Sequence, residues 1–145
     1  MKKPVIILSL IALLLSACSG HKQTPGLGEL NTGASLPENF NFTKMGLKFI
    51  CATVNKKNGT TSLLYGTDPT LAGKPGAVFA LITWTQQPDP RWIGANIPGR
   101  LVSVEMLKDT TYRRFIDADL EPDPDTSDQS ERVDFILGLR PAILF

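Results

Sequence analysis

The chain has 145 residues, 42% of them hydrophobic and 20% charged, which is the make-up of one globular domain rather than of a disordered or fibrous chain. Its formal net charge is +1, and once Lys2 and Lys3 of the leading segment are set aside the 14 acidic side chains slightly outnumber the basic ones. That balance argues against a nucleic-acid partner, because such binders carry a basic stripe.

Met1 is followed by Lys2 and Lys3, and then by an apolar run from Val5 to Leu15. The run is shorter than the about 20 residues a spanning helix needs. A basic start, a short apolar stretch and small residues after it form the pattern of a secretory signal. The run closes on Leu15-Ser16-Ala17-Cys18, which resembles the lipobox of bacterial lipoproteins. That resemblance implies a signal peptide over 1–17 and a lipidated Cys18, with acyl chains such as palmitate. A thiol is the nucleophile of this stretch that forms a thioether to diacylglycerol. Each buried methylene adds about 0.8 kcal/mol and stable anchoring takes more than one chain, a condition a diacylated or triacylated cysteine meets. The expected partner is therefore the membrane and the expected location the cell envelope. Ser19 stands where inner-membrane retention favours Asp, so in a Gram-negative cell the resemblance implies the outer membrane, with the domain facing the periplasm.

From Cys18 to Asn39 the chain reads as a flexible tether. Thr24-Pro25-Gly26-Leu27-Gly28 and Asn31-Thr32-Gly33-Ala34-Ser35 carry no apolar period to offset the entropy of ordering them. His21, the one histidine of the sequence, lies here. From Phe40 the pattern changes to strands. Lys48–Val54 is β-branched and aromatic, Asn58-Gly59 supplies the positive φ that a hairpin turn wants, and Thr60–Tyr65 returns. Gly76–Trp84 is almost continuously apolar, as in a central strand covered on both faces. Asn96-Ile97-Pro98-Gly99 reads as a turn. Leu101–Lys108 alternates, with Val102, Val104 and Met106 facing one way and Ser103 and Glu105 the other, as in a strand with one solvated face. Asp109-Thr110 turns the chain into a further strand, Tyr112–Ala118. Short connections between consecutive strands predict an antiparallel sheet.

The acidic segment Asp117–Asp128 loosely mimics a calcium loop, but Pro122 stands where that loop needs Gly, and it reads as a solubilising loop. No metal site is expected. Asp128 then predicts a helix N-cap with Glu131 at capping-box spacing. Val133, Ile136, Leu137 and Arg140 follow helical spacing, with Phe135 and Leu139 widening the apolar face and Pro141 ending it. The predicted fold class is α+β: a mostly antiparallel sheet packed with a C-terminal helix. Cys51 is left without a disulfide partner once Cys18 is lipidated, and reads as a small buried hydrophobe.

Leu64-Tyr65-Gly66-Thr67-Asp68, followed by Lys74-Pro75-Gly76 and the apolar Ala77–Trp84, resembles the cytochrome P460 family. The blocks Trp84–Gly99, Val102-Ser103-Val104-Glu105 and Arg132–Leu137 are similar to short P460-like proteins of bacterial envelopes. The resemblance implies a P460-like domain over 40–145. It implies a haem held through Cys-x-x-Cys-His and cross-linked to a lysine, and the chain departs from both: it has no such motif, and Leu81 stands at the position nearest the lysine. Haem is therefore not the expected cofactor. A phosphate-binding loop, a Gly-x-Ser-x-Gly elbow and a histidine-containing triad are likewise missing from the sequence, so no catalytic residue is assigned. Tyr65, Trp84 and Trp92 fall in the blocks carrying the resemblance and are the candidate pocket residues. The expectation is an envelope lipoprotein whose P460-like domain is a non-catalytic small-ligand binding or accessory module. The alternative is a haem-binding P460-type protein in redox or nitrogen-oxide chemistry.

Overall fold

Strand-forming runs separated by short turns fold here into a meander. The computed structural model describes residues 32–68, 74–117, 119–125 and 127–140. Six strands, β1 (Lys48–Asn55), β2 (Thr60–Gly66), β3 (Val78–Pro88), β4 (Asn96–Lys108), β5 (Thr111–Ile116) and β6 (Glu121–Pro122), lie side by side in chain order. Every neighbouring pair is antiparallel. One α-helix among the described residues, α1 (Gln129–Gly138), follows the sheet, giving the predicted α+β arrangement.

The β1–β2 turn forms where Asn58-Gly59 predicts it. Gly59 takes the left-handed conformation (φ 60°), and the Asn55 side chain accepts a hydrogen bond from the Asn58 amide at 3.1 Å. Gly66 is required for a different reason: a Cβ there would come within 2.7 Å of Ile50 Cδ1 and Phe79 Cδ1. Asn96–Gly99, read as a turn, belongs to β4 instead, with Ile97 opposite Gln87 and Pro98 opposite Gln86. The chain reverses earlier, over Asp89–Ala95, where the Asp89 amide donates to the Ala95 carbonyl at 2.9 Å.

Both faces of the sheet are covered. On one, the segment from Ala34 to Leu47 lies across Ala80, Ile82, Trp84, Leu101 and Val104. Among the described residues, contact with the sheet already includes Gly33 and Ala34, ahead of the boundary drawn at Asn39. On the other, α1 lies over Leu64, Phe79, Leu81 and Leu107. β3 serves both, Ala80 and Ile82 pointing to the first and Phe79 and Leu81 to the second, as its continuous apolar run predicts. Register irregularities between Thr83 and Gln86 shift β4 so that Leu101 joins Val104 on the first face.

Ser103 and Glu105, assigned by sequence to a solvated face, are 9% and 1% exposed. The reason is α1, which covers that face. The helix itself differs from expectation in two places. Asp128 is the N-cap residue but makes no side-chain capping bond, because its carboxylate receives Arg114 Nη1 at 2.8 and 2.9 Å. Phe135 stays outside the apolar cluster beneath the helix and is 42% exposed, with the Arg132 guanidinium 4.9 Å from its ring centre. At the other end Arg140 donates to the Leu137 carbonyl at 2.6 Å, meeting one of the helix's last acceptors. The capping-box reading of Asp128 is thus replaced by an ion pair, and Pro141 lies outside the described residues.

Candidate functional site

Residues 32–47 include two short 3₁₀ turns, Thr32–Ala34 and Glu38–Phe40, so side chains rather than a regular ladder fix this segment to the sheet. Trp84 Nε1 donates to the Ala34 carbonyl at 2.9 Å, and Phe40 and Phe42 are buried. The Phe42 ring stacks on Tyr65 at 5.9 Å and 27°, and Phe40 meets Phe115 edge-on at 5.2 Å. These rings leave an open hollow of about 420 Å³, walled by Leu36, Phe40, Phe42, Leu63, Tyr65 and Trp84 and rimmed by Glu38, Asn41 and Thr43. Tyr65 is only partly buried, and no described residue hydrogen-bonds its hydroxyl. An apolar, aromatic wall with a few polar groups at the rim is the usual lining of a small-molecule site.

Tyr65 and Trp84, two of the three pocket residues named from sequence, therefore share one hollow. Trp92 stands apart, 74% exposed at the tip of the β3–β4 hairpin. Cys18 lies outside the described residues.

The opposite face holds a polar cluster that sequence reasoning missed. Tyr112 donates to Glu105 Oε1 at 2.5 Å, and Arg132 grips the same carboxylate with Nε at 2.9 Å and Nη2 at 2.5 Å. The hydrogen bonds from Arg132 to Glu105 raise the pKa of the guanidinium above its ordinary value. Burial first, and the Glu105 carboxylate next, raise the Tyr112 phenol well above the usual tyrosine range. Beside this cluster Arg114 binds Asp123 Oδ2 at 2.6 Å, Asp128, and the Asp125 carbonyl at 2.9 Å. The acidic segment is thus wrapped around one arginine, and Arg114 is held protonated, by Asp128 foremost. A cleft of about 300 Å³ opens here, with Ser62 and Thr83 hydroxyls 2.8 Å apart. Its charges already satisfy one another, as buried charges must, so the cluster reads as a lock between α1 and the sheet. The available signal was Leu107: it shares a face with Glu105, and the predicted helix needed a face to cover.

The residues do not fit a haem held as the family resemblance implies. Leu81 is wholly buried and packs with Leu64, Leu107 and Ile136, with no amine in its place. Of the remaining donors, the Tyr112 hydroxyl is committed to Glu105, Met45 is 49% exposed, and Cys51 is a free thiol whose burial raises its pKa. Met106 and Tyr65 are partly buried on the first face. Among the described residues no group of three or more His, Cys, Asp or Glu side chains is placed to hold a metal ion. A scan against protein-family models and a search of curated proteins each return no match.

Proposed function

We propose that this chain is a lipid-anchored envelope lipoprotein whose P460-like domain is a non-catalytic module binding a small ligand without covalent haem. The ligand site is the hollow between the Ala34–Leu47 segment and the sheet. The observation that carries this reading is the aromatic wall of the 420 Å³ hollow, with the partly buried Tyr65 set among Phe40, Phe42 and Trp84. A ligand with a flat apolar body and one hydrogen-bonding group satisfies both features. The anchor reading is supported by the Leu15-Ser16-Ala17-Cys18 sequence. Among the described residues no helix is long and apolar enough to cross a membrane. In a cell with two membranes, Ser19 directs the protein to the outer one, facing the periplasm.

The binding test uses 2-naphthol, which has a flat ring and one hydroxyl, followed by quenching of tryptophan emission. Saturable quenching is expected, with Tyr65→Phe weakening it about 5- to 10-fold, the worth of one hydrogen bond. Trp92→Phe is expected to leave the affinity unchanged. Quenching that is linear in concentration, or indifferent to Tyr65, overturns the site. For the anchor, cells are labelled with a radioactive fatty acid. Label on the wild type and none on Cys18→Ala is expected, and label retained by the variant overturns the lipidation assignment.

A further inference from the structure

We infer that Trp92 and Ile93, at the tip of the β3–β4 hairpin, insert into the headgroup region of the bilayer that carries the chain; the inference rests on the lipid-anchor reading of Cys18. Trp92 is 74% and Ile93 103% exposed, two adjacent large apolar side chains held out in solvent. They are not on a loose loop. The Trp92 amide donates to the Asp89 carbonyl at 3.2 Å and the Ala95 amide to the Trp92 carbonyl at 3.1 Å. Arg91 closes back on Asp89 through its Nε at 3.0 Å and Nη2 at 3.1 Å, so the tip's own charges are matched. A turn built this firmly presents its apolar pair outward by construction.

The position of the tip supplies the occupant. The Gln86 amide donates to the Gly59 carbonyl at 2.7 Å, which places the β1–β2 turn, with exposed Lys56 and Lys57, beside the base of the tip. Gly33 lies against the backbone of Arg100, and the Arg100 amide donates to Thr85 Oγ1 at 2.9 Å. The N-terminal limit of the described chain, which leads back to Cys18, is therefore at this same end of the sheet. Covalent geometry limits the reach from Cys18 to Thr32 to roughly 50 Å, so an anchored Cys18 holds the domain within that distance of the membrane, and the tether joins it at this end. The exposed Asp117 sits on the β5–β6 turn, its amide bonded to the Val102 carbonyl at 3.1 Å, back along β4 from the tip. Tryptophan suits the bilayer interface because its ring is apolar and its N–H is polar. Lysines beside it extend their stems and place their charges among phosphates. Lipid and tip together make two attachments, which fix how the domain faces the membrane.

The test reconstitutes the full lipoprotein into phosphatidylethanolamine–phosphatidylglycerol vesicles doped with a phosphatidylcholine brominated on its acyl chains. Fatty-acid label is measured on the same preparation. Emission of the wild type is compared with that of Trp92→Phe. The expected result is a bromine-quenched, blue-shifted component that is lost in Trp92→Phe, and reduced in Ile93→Ser. A labelled protein whose Trp92 emission stays at its aqueous wavelength, as open to iodide with vesicles as without, overturns the inference and leaves the anchor reading standing. A protein without label fails the anchor reading alone; it is mixed with the same vesicles and judged by the same quenching. A Trp92 blue shift that needs only higher protein concentration and no lipid assigns the tip to a second copy of the chain and overturns the bilayer assignment.

Discussion

On the face that receives residues 34–47, closure is aromatic: Phe40, Phe42 and Tyr65 meet ring to ring and, with Trp84, wall a hollow. On the face that receives α1, closure is aliphatic at the centre, through Leu64, Leu81, Leu107 and Ile136, and ionic at the margin, through Glu105, Tyr112 and Arg132. A helix laid on a sheet interdigitates with it, whereas an irregular segment carrying stiff rings fills space less completely. The helix face carries the ionic lock, and the charges along its cleft are already paired, whereas the aromatic face offers an apolar hollow.

The sharpest way to break this comparison is Glu105→Ala. It strands the Arg132 guanidinium and the Tyr112 hydroxyl at once. Because Arg132 keeps 30% exposure, the expected loss is about 3 kcal/mol, the low end for a buried pair. Replacing both partners, Glu105→Leu with Arg132→Met, is expected to restore most of it. Equilibrium urea denaturation measures both variants; a single-variant loss under about 1 kcal/mol would make the lock no stronger than a surface pair.

Trp84→Phe probes the other face. It removes the hydrogen bond to the Ala34 carbonyl and part of the hollow's wall, with an expected loss of about 1–2 kcal/mol. Amide exchange is expected to quicken at Phe40 and Leu47, whose amides bond the Pro37 and Phe42 carbonyls, while Ile136 keeps its protection. Equal loosening of α1 would mean that the two faces do not separate as argued.

The Tyr112 phenol gives a pH signature confined to the helix face. Its folded pKa is raised, so as pH climbs the unfolded chain releases this proton first. The stabilisation is whole below about pH 10, the ordinary tyrosine value, and drains above it. Tyr112→Phe is expected to flatten that alkaline slope in thermal melts, while Tyr65→Phe leaves it in place; an unchanged slope in Tyr112→Phe would remove the phenol from the lock.

The smallest expected change is with haemin. Added in stoichiometric amount, it is expected to give no sharp Soret band, because Tyr112 is committed to Glu105, Cys51 is buried and Met45 is exposed, which leaves Tyr65 and Met106 as the donors to test. A sharp band lost on Tyr65→Phe would place the haem in the aromatic hollow, one lost on Met106→Leu would place it beside Phe115, and either would put the haem reading first.

Much of the sheet was legible because its signals are local. Asn58-Gly59 marks a hairpin, and the apolar run through Phe79-Ala80-Leu81-Ile82 marks a strand covered on both sides. Tyr65 and Trp84 were singled out by the blocks carrying the family resemblance, but their convergence on one hollow depends on Phe40 and Phe42, which no periodicity ties to the sheet. Residues 34–39 read as tether because rings and one indole hydrogen bond, rather than a repeat, hold them down. Asp128 read as a cap because spacing cannot tell that Arg114, on a neighbouring strand, competes for its carboxylate.

What the sequence by itself determined is the succession of strands, the C-terminal helix and its apolar stripe, since alternation and helical spacing express which residues a short stretch can turn toward an apolar neighbour. That both sides of β4 would be dry was decided only by tertiary structure. Ser103 and Glu105 carry the polarity of a solvated face, and an isolated strand would leave them wet. They are buried because α1 docks over them and brings Arg132 to Glu105, 27 residues away along the chain. A buried carboxylate is tolerated only with its partner in place, and that partner is supplied by the folded chain rather than by the residues next to it.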